Sequence, residues 1–314
     1  MGRFEIDSQC KQKMKDKACP ADDDYGTLFV VSTPIGNLED ITLRALRILK
    51  SVEIIAAENM AHAHVLCKHH DIKTRITRYH QHNQKIKTSK LIRQLKSGND
   101  IAIITDAGTP CISDPGLHLI NRAIEEEIKT TPIPGPSAVI AALSVSGLPT
   151  DGFLFEGFLP NKSGRRKKIL SNLIYEPRTI VFFEAPHRIK AMLTDLKDVL
   201  GDRQLVMLRE MTKIFEEMKK GPISSVLEFL TPDKIRGEFT LVVEGGKTEK
   251  VRSLSKETIN KVENLLREQI MTVKDIAALL AGEEGLTYRQ VYKECLAKKK
   301  IFDRIGANGT GSEI

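Results

Sequence analysis

The sequence predicts two α/β domains with a ligand cleft between them, followed by a small helical extension. Short apolar segments alternate with segments whose apolar residues recur at helical spacing, and glycine- and proline-rich stretches separate them. The chain has 314 residues, 41% of them hydrophobic and 28% charged, which suits two globular domains. The last part of the chain lacks strand candidates and has a helical pattern.

The first part of the chain predicts a flexible leader and then an N-terminal α/β domain. Residues 1–26 mix five basic with six acidic side chains and show little apolar periodicity, so we interpret them as the leader. The N-terminal domain is predicted over residues 27–146, and a small-residue helix over Ser137–Ser146 ends it. Its strand candidates, expected to form a parallel sheet, are Leu28–Ser32, Ile54–Ala57, Ile101–Thr105 and Thr131–Pro134.

A second set of strands and helices predicts a C-terminal α/β domain over residues 147–246, after the break at Gly147-Leu148-Pro149. Its strand candidates are Phe153–Phe158, Thr179–Glu184, Leu205–Arg209 and Phe239–Glu244. Its helix candidates are Ile169–Leu173, His187–Leu200 and Ile223–Leu230. Residues 247–314 are predicted to be a linker and a helix-turn-helix-like extension, because Thr272 and Thr287 each begin a capping box. A helical cap or a dimerisation element is the alternative interpretation of this extension.

Composition narrows the class of protein. The net charge of +7 permits a polyanionic partner. The five cysteines lie far apart without a CxxC pair, which excludes a zinc ribbon and a disulfide scaffold and favours a reducing, cytoplasmic location. No apolar stretch approaches the roughly 18 residues of a membrane span, and no secretory signal opens the chain.

Three loops that follow predicted strands of the N-terminal domain are rich in glycine, proline and small polar residues. They are Thr33–Asn37, Asp106–Gly116 and Pro134–Ala138. Glycine lets a backbone approach a ligand closely, and ligands of open α/β sheets bind where the strands end. Neither GxGxxG nor GxxxxGK[ST] is present, so the loops predict a shared ligand site of another kind.

Several segments carry a resemblance to a known family. They are Thr33–Thr42, Asp106–Pro110, Ser113–Gly116, Pro132–Ala138, Phe155–Pro160, Glu184–Arg188 and Gly237–Phe239. With them the chain resembles the tetrapyrrole methylase superfamily from about Leu28 to Gly245. Within that superfamily the resemblance is to the members that methylate a cytidine ribose 2′-hydroxyl in the decoding region of small-subunit ribosomal RNA.

The resemblance implies a homodimer that binds S-adenosylmethionine (SAM) between its two α/β domains without a metal. It implies ribosomal RNA, free or in the assembled 30S subunit, as the partner. Carried over by position, the implied SAM contacts are Pro34, Ala107, Gly108, Thr109, Ile112, Ser137, Ala138 and Glu184. Backbone carbonyls of such loops suit the sulfonium and its polarised C–H groups, and backbone amides suit the carboxylate.

The sequence departs from the family pattern at two places. Family members have Glu-Asp-Thr-Arg after the second strand, and this chain has Glu58-Asn59-Met60-Ala61. Cys111 also stands where the family usually has glycine. Because an amide cannot act as a general base and a methyl group cannot hold a phosphate, we expect an effect on catalysis, which His62 or His64 would offset in part.

The acceptor hydroxyl gains from a general base during methyl transfer. Glu58 is the first candidate because it keeps the family identity at a strand end, and Asp106 and Asp114 are the alternatives. The residues themselves do not choose among the three carboxylates.

A basic segment follows the Phe-Leu-Pro end of the first strand of the second domain. We expect it to contact RNA phosphates, although a solvated helix face would have the same composition. Its cations are Lys162, Arg165, Arg166, Lys167 and Lys168. The run Lys298–Lys300 in the tail is a weaker candidate for the same role.

The histidine-rich segments have weaker interpretations. Tyr79, His80, His82 and Asn83 match a family pattern and are candidates for the RNA side of the cleft, and a solvated helix start is the alternative. His69-His70 and His80–His82 invite a metal interpretation, which methyl transfer does not need and which no clustered cysteine or carboxylate supports.

Two other functions remain open from the sequence. One is methylation of a small tetrapyrrole, which the basic segment and the helical tail disfavour. The other is a SAM- or RNA-binding ribosome-assembly factor with weakened catalysis, which the departures at Asn59, Met60, Ala61 and Cys111 suggest.

Overall fold

The computed structural model describes residues 25–246, 255–268, 271–284 and 288–307. The chain divides into two compact units, residues 1–247 and residues 248–314, and each is described by itself. The first unit contains both sheets. Residues 1–24 of the expected leader lie outside the described residues.

The first sheet is fully parallel, as the sequence predicts. Its strands are β1 (Leu28–Val31), β2 (Ile54–Ala57), β3 (Arg75–Arg78), β4 (Ile101–Ile104) and β5 (Thr130–Ile133). Its helices are α1 (Leu43–Ser51), α2 (Met60–His69), α3 (Gln84–Lys96) and α4 (Leu117–Glu125). The strand order is β3-β2-β4-β1-β5. All five strands therefore end at one edge, which is where the three glycine- and proline-rich loops lie.

The edge strand β3 is the element of this sheet that sequence analysis missed. Its sequence Arg-Ile-Thr-Arg lacks the apolar run that marks β2 or β4, because only one side of an edge strand pairs with another strand. Ile76 is its apolar anchor and packs with the core cluster that contains Val31, Ile55 and Ile104.

The second sheet is mixed. Its strands are β6 (Phe153–Phe158), β7 (Thr179–Glu184), β8 (Gln204–Arg209), β9 (Glu217–Pro222) and β10 (Phe239–Val243). The order is β6-β7-β10-β8-β9, in which only β6 and β7 pair in parallel. The polar edge strand β9 was also absent from the sequence-based prediction, for the same reason as β3.

Helices cover both faces of the second sheet. They are α5 (Ala138–Ser146), α6 (Ser163–Ser171), α7 (Ile189–Leu200) and α8 (Ile223–Phe229). The apolar side chains of α6, α7 and α8 pack on one face. Val139 and Ala142 of α5, a helix that the sequence grouped with the first domain, pack on the other face against Val181 and Val242. Helix α5 therefore connects the third loop of the first sheet to the core of the second.

Among the described residues of the first unit, three short 3₁₀ helices lie at Leu38–Asp40, Pro186–Arg188 and Pro232–Lys234. The fold is thus the predicted pair of α/β layers, and the predicted parallel sheet is confirmed for the first of them.

The second unit is helical, as predicted. Its described residues form α9 (Lys256–Glu268), α10 (Val273–Glu284) and α11 (Tyr288–Ala307), with Val262, Ile276 and Val291 in their shared core. The expected capping box forms at α10, where Asp275 N–H donates to Thr272 Oγ1 and the Thr272 hydroxyl donates to the Asp275 carboxylate. The second expected box, at Thr287, begins outside the described residues. None of the helices in the described ranges is long and apolar enough to cross a membrane.

Candidate active site

A cavity of about 380 Å³ lies between the carboxyl ends of the first sheet and one end of the second sheet. The residues of the first half that line it are Ile35, Glu58, Asp106, Ala107, Gly108, Thr109, Ile112, Ser113, Asp114, Ser137, Ala138 and Val139. The residues of the second half are Phe158, Phe183, Glu184, Ala185, Pro186, Met211, Lys213, Glu238, Phe239 and Thr240. The structure therefore brings together every predicted catalytic and SAM-contact residue except Pro34, whose neighbour Ile35 lines the cavity instead.

Backbone hydrogen bonds hold the three predicted loops side by side. The Thr33 N–H donates to the Gly108 carbonyl at 2.9 Å, and the Gly108 N–H donates back to the Thr33 carbonyl at 3.0 Å. The hydroxyls of Ser32 and Thr109 share a hydrogen bond of 2.9 Å, and the Thr109 hydroxyl also donates to the Pro136 carbonyl at 3.5 Å. The Thr33–Gly108 pair thus connects the first and second loops, and Thr109 connects the second loop to the third, so hydrogen bonds within the protein hold the floor of the cavity in place.

The second loop has an unusual backbone at Cys111, one of the two departures from the family pattern. Gly108, Cys111 and Ser113 all have positive φ, with +74° at Cys111. A non-glycine residue pays a steric cost in this conformation, so a glycine at this position would be relaxed. The Cys111 thiol packs over Gly116, where an added Cβ would lie 2.7 Å from Sγ.

The second half supplies a buried carboxyl group and an apolar surface. Glu184 is 1% exposed, forms an ion pair with Arg188 Nε at 3.0 Å and accepts a hydrogen bond from the Ala185 N–H at 2.8 Å. Burial raises the pKa of Glu184, and Arg188 opposes that rise. The rings of Phe158 and Phe183, which also line the cavity, pack at a tilt, with ring centroids 5.6 Å apart. A ligand next to Glu184 would therefore meet both a buried carboxyl group and aromatic surface.

The cavity is acidic. Five carboxyl groups line it, against the single ammonium of Lys213 among the lining residues. Burial, followed by repulsion from Glu58, Asp106 and Glu238, raises the pKa of Asp114 to about 7. Burial and the nearby Asp106 carboxylate also raise the pKa of Glu58. Such a site favours a positively charged ligand, because a cation would offset the repulsion among the carboxylates.

His62 joins this cluster from α2. Its Nδ1 lies 3.1 Å from the Asp106 carboxylate, and its side chain is 61% exposed. His64 instead bonds the Met60 carbonyl of its own helix. Of the two histidines that the sequence offered as substitutes, the structure brings only His62 to the cavity carboxylates.

The other departure from the family pattern coincides with the start of α2. Asn59 is the N-cap, and its side-chain oxygen accepts a hydrogen bond from the Ala61 N–H at 2.9 Å. Asparagine and aspartate cap helices about equally well, so the amide keeps the structural role of the carboxylate that the family has there. Asn59 and Met60 do not line the cavity, and Ala61 is exposed.

The basic segment separates into two kinds of residue. Lys162, Arg165 and Lys168 are exposed, as contact with RNA requires. Arg166 is only 2% exposed, and its guanidinium binds the Asp195 carboxylate and the backbone carbonyls of residues 160, 161 and 191. The expected RNA contact of Arg166 is therefore corrected to a structural role, because its donors are already used inside the protein.

The remaining cation of the basic segment, Lys167, has carboxylate partners. Lys167 lies 2.8 Å from Asp198 and 3.4 Å from Asp195, and its side chain is 40% exposed. In the tail, Lys298 pairs with Glu263 at 2.6 Å, which leaves its ammonium less available to a phosphate.

The histidine-rich motif after β3 is largely structural. Tyr79 is 1% exposed and shares a hydrogen bond with Thr88. Asn83 accepts a hydrogen bond from the His80 N–H and donates one to the Arg78 carbonyl, which closes the turn before α3. Across the described ranges, no three His, Cys, Asp or Glu side chains come together as metal ligands would.

Sequence reasoning missed several residues of the cavity wall. Met211, Lys213 and Glu238 come from loops at the ends of β8 and β10, and no glycine-rich motif marks the first two. Glu238 lies in the Gly-Glu-Phe segment that carried part of the resemblance, which was the available signal.

Comparison with known proteins agrees with this architecture. Residues 27–227 match the family described as Tetrapyrrole (Corrin/Porphyrin) Methylases. The ribosomal RNA small subunit methyltransferase I of Pseudomonas aeruginosa is 42% identical over 278 residues, which are 87% of this chain and 98% of the relative. The protein of the same name from Bacillus subtilis is 41% identical over 86% of this chain and 94% of its own length.

Solved structures share the fold at low sequence identity. The uroporphyrin-III-C-methyltransferase of Thermus thermophilus matches with a TM-score of 0.51 and 20% identity, over 70% of this chain and 94% of its own. A cobalt precorrin-4 methyltransferase matches with a TM-score of 0.55 and 13% identity, over 69% of this chain and 94% of its own.

Proposed function

Because the chain belongs to the tetrapyrrole methylase family, we propose that it transfers the methyl group of SAM to small-subunit ribosomal RNA. The acceptor that we propose is the ribose 2′-hydroxyl of a cytidine in the decoding region. The observation that carries this proposal is the acidic cavity, in which three preformed loops meet the buried Glu184 of the second half. An RNA substrate of the ribosome also agrees with a cytoplasmic location.

The cavity suits SAM in its charge and in the chemistry of its lining. SAM carries a positive sulfonium and a positive amino group, which the carboxylates of Glu58, Asp106 and Asp114 would attract. The backbone of Ala107, Thr109, Ser137 and Ala138 lines the cavity and would meet the cofactor's polar atoms, and Ile112 offers apolar contact. SAM supplies the electrophilic methyl group, and the protein positions the acceptor hydroxyl in line with it.

A base that takes the hydroxyl proton speeds such a displacement by about 10²–10⁴-fold. We propose one of the three clustered carboxylates, with Glu58 first, for this role. Glu58 lines the cavity directly after β2, and its raised pKa makes its carboxylate a stronger base than an ordinary glutamate. His62 is placed to hold the Asp106 carboxylate through its 3.1 Å contact.

Lys162, Arg165 and Lys168 are the cations of the basic segment that we propose for RNA contact. They lie just after β6, whose last residue, Phe158, lines the cavity. Phosphates held there would lie beside the cavity. Their replacement by glutamine should weaken RNA binding and lower its salt dependence, while SAM affinity stays unchanged.

We also propose that the chain works as a homodimer, as the family resemblance implies. The loop between β8 and β9 exposes Ile214 and Phe215, at 95% and 74%, and such apolar side chains are suited to a subunit contact. Sedimentation equilibrium of the wild type against Ile214→Asp/Phe215→Asp tests this. A wild type that remains monomeric at micromolar concentration would contradict the proposal.

Transfer of labelled methyl groups tests the main proposal. Purified protein is incubated with labelled SAM and a chelator, and with either intact small subunits or their naked RNA, and the labelled nucleotides are mapped. A ribose-methylated cytidine is the expected product. SAM binding without transfer to either RNA would favour the assembly-factor alternative, and transfer only to a tetrapyrrole would favour the small-molecule alternative.

The substitution Gly108→Leu provides a loss-of-binding control. Gly108 lines the cavity at φ +73°, so a leucine would be strained and its side chain would occupy ligand space. Gly164→Leu is the matched control, because an added Cβ there meets nothing within 4 Å. Calorimetry should show lost SAM binding in the first variant and unchanged binding in the second.

The triple change Asn59→Asp, Met60→Thr and Ala61→Arg tests the weakened-catalysis alternative. It restores the family pattern next to Glu58. A single-turnover rate that rises strongly from near zero would favour a weakened enzyme, and an active wild type with an unaltered rate would favour the capping role of Asn59.

A further inference from the structure

The segment Lys68–Lys96 is strongly basic. It contains nine Lys and Arg residues and one acidic residue, Asp71. Its excess of eight positive charges is larger than the net charge of +7 of the whole chain. The positive charge of this protein is therefore concentrated in one part of the first α/β half, around β3 and α3.

The edge strand β3 places part of this charge beside the cavity. Arg75 and Arg78 are both exposed. Arg78 pairs in register with Ala57, the last residue of β2, and the next residue of the chain is the cavity residue Glu58. Arg78 is thus one strand away from the wall where we propose that the acceptor nucleotide binds.

Helix α3, the next element of the chain after β3, adds further exposed cations. The Lys87 ammonium donates to Thr77 Oγ1 at 2.9 Å, which fixes this side of α3 next to β3. Lys90 is three residues further along the helix, where i and i+3 side chains are neighbours, and it is exposed. Lys85, in the first turn of α3, is also exposed.

These cations lack carboxylate partners. We call Arg75, Arg78, Lys85 and Lys90 together the basic edge. In the described part of the chain, none of these four residues forms an ion pair. Two other lysines of the segment have carboxylate partners, since Lys73 lies 3.9 Å from Asp71 and Lys96 pairs with Glu126. Unpaired, exposed cations are the ones that gain most from a polyanion, because binding releases the counterions of both partners.

We propose that the basic edge binds the sugar-phosphate backbone of the RNA that flanks the acceptor nucleotide. This inference rests on the proposed function and extends it. The cations Lys162, Arg165 and Lys168 stand beside the second half of the cavity, and the basic edge stands beside the first half. The RNA strand is therefore held on both sides of the reaction site. Charged edge strands also prevent sheet-to-sheet association, a role that would need no RNA.

A charge-matched pair of variants separates these roles. The test variant is Arg78→Gln/Lys85→Gln/Lys90→Gln. The control variant is Arg47→Gln/Lys50→Gln/Lys129→Gln, which removes three exposed cations near the amino ends of the strands of the same sheet. Both variants lose the same net charge, and neither changes a residue that lines the cavity.

The measurement is the affinity for naked small-subunit RNA over a range of salt concentrations. Each lost phosphate contact should lower the slope of log affinity against log salt by about 0.7–0.9, so the test variant should lose about 2 to 3 in slope. The control variant should keep the wild-type slope, and both variants should keep the wild-type SAM affinity.

Equal slopes for the test and control variants would overturn the inference. So would a test variant that binds naked RNA normally and loses methyl transfer only on intact subunits, because that result would assign the basic edge to a ribosomal protein. A wild type that binds RNA and never methylates it would instead contradict the proposed function, and the slope comparison would still decide the role of the basic edge.

Discussion

Asp114→Asn should make the folded protein less sensitive to rising pH. The Asp114 carboxyl has an ordinary pKa of 3.8 and a pKa of about 7 in the folded chain, where burial and three neighbouring carboxylates disfavour its charge. Between these two pH values the folded state holds a proton that the unfolded state has lost. The free energy of unfolding therefore falls as the pH rises from about 4 to about 7.

The size of the effect follows from the same shift. A full shift of this size corresponds to about 4 kcal/mol, since one pKa unit is worth about 1.4 kcal/mol. Because Asp114 is only partly buried, solvent screening reduces this figure, and we expect about 2 kcal/mol. The amide of the variant does not titrate and lacks this contribution, so the wild type should lose about 2 kcal/mol more between pH 4 and pH 7.5.

Urea unfolding at several pH values measures this difference. The control is Asp151→Asn, which removes an exposed carboxylate outside the cavity and should follow the wild type. If Asp114→Asn and the wild type show the same dependence of unfolding free energy on pH, the raised pKa of Asp114 does not contribute to stability and the reasoning is wrong.

Three further predictions follow from single contacts. Asn59→Ala should cost about 1 kcal/mol of unfolding free energy through the lost N-cap, whereas Asn59→Asp should change it by less than about 0.5 kcal/mol in chemical denaturation. Arg166→Met should cost about 3 kcal/mol because the buried Asp195 then keeps only Lys167 at 3.4 Å and the Ser163 hydroxyl, and the double variant Arg166→Met/Asp195→Leu should recover most of that loss. Equal stability of the single and double variants would contradict this. Gly36→Ala should cost about 1–3 kcal/mol and lower the melting temperature, because its Cβ would lie 2.5 Å from Lys213 Cγ. An unchanged melting temperature would show that the loop moves aside freely.

The buried strands were predictable from sequence because burial on both faces demands continuous apolar runs, as in Ile101–Ile104. Strands β3 and β9 were not, because at a sheet edge half of the backbone and several side chains face solvent, and charged residues are allowed there. The sequence also did not predict which strands of the second sheet pair in an antiparallel way, because that pairing depends on which strands are neighbours and not on their composition.

The glycine-rich loops of the cavity could also be predicted from the sequence, and the residues that reach their positions only through tertiary contacts could not. Because backbone that approaches a ligand closely needs glycine and other small residues, the loops at Gly108 and Ala138 could be predicted from the sequence. Arg166 and Arg165 have adjacent positions and similar chemistry, and only the tertiary contact with Asp195 separates a buried structural arginine from an exposed one. Lys213 could not be predicted as a cavity residue, because no local sequence pattern indicates that the loop after β8 reaches the cavity wall.

The division of the cavity wall between two sheets has a consequence for how the first unit unfolds. A ligand that contacts both Gly108 and Glu184 binds neither half when the halves are separated, so its whole binding free energy opposes their separation. Saturating cofactor at 100 times its dissociation constant would add about 2.7 kcal/mol to that opposition. The bound cofactor would then couple the unfolding of the two halves. On heating, the cofactor-bound protein should unfold in one cooperative step, even if the cofactor-free protein unfolds in two steps.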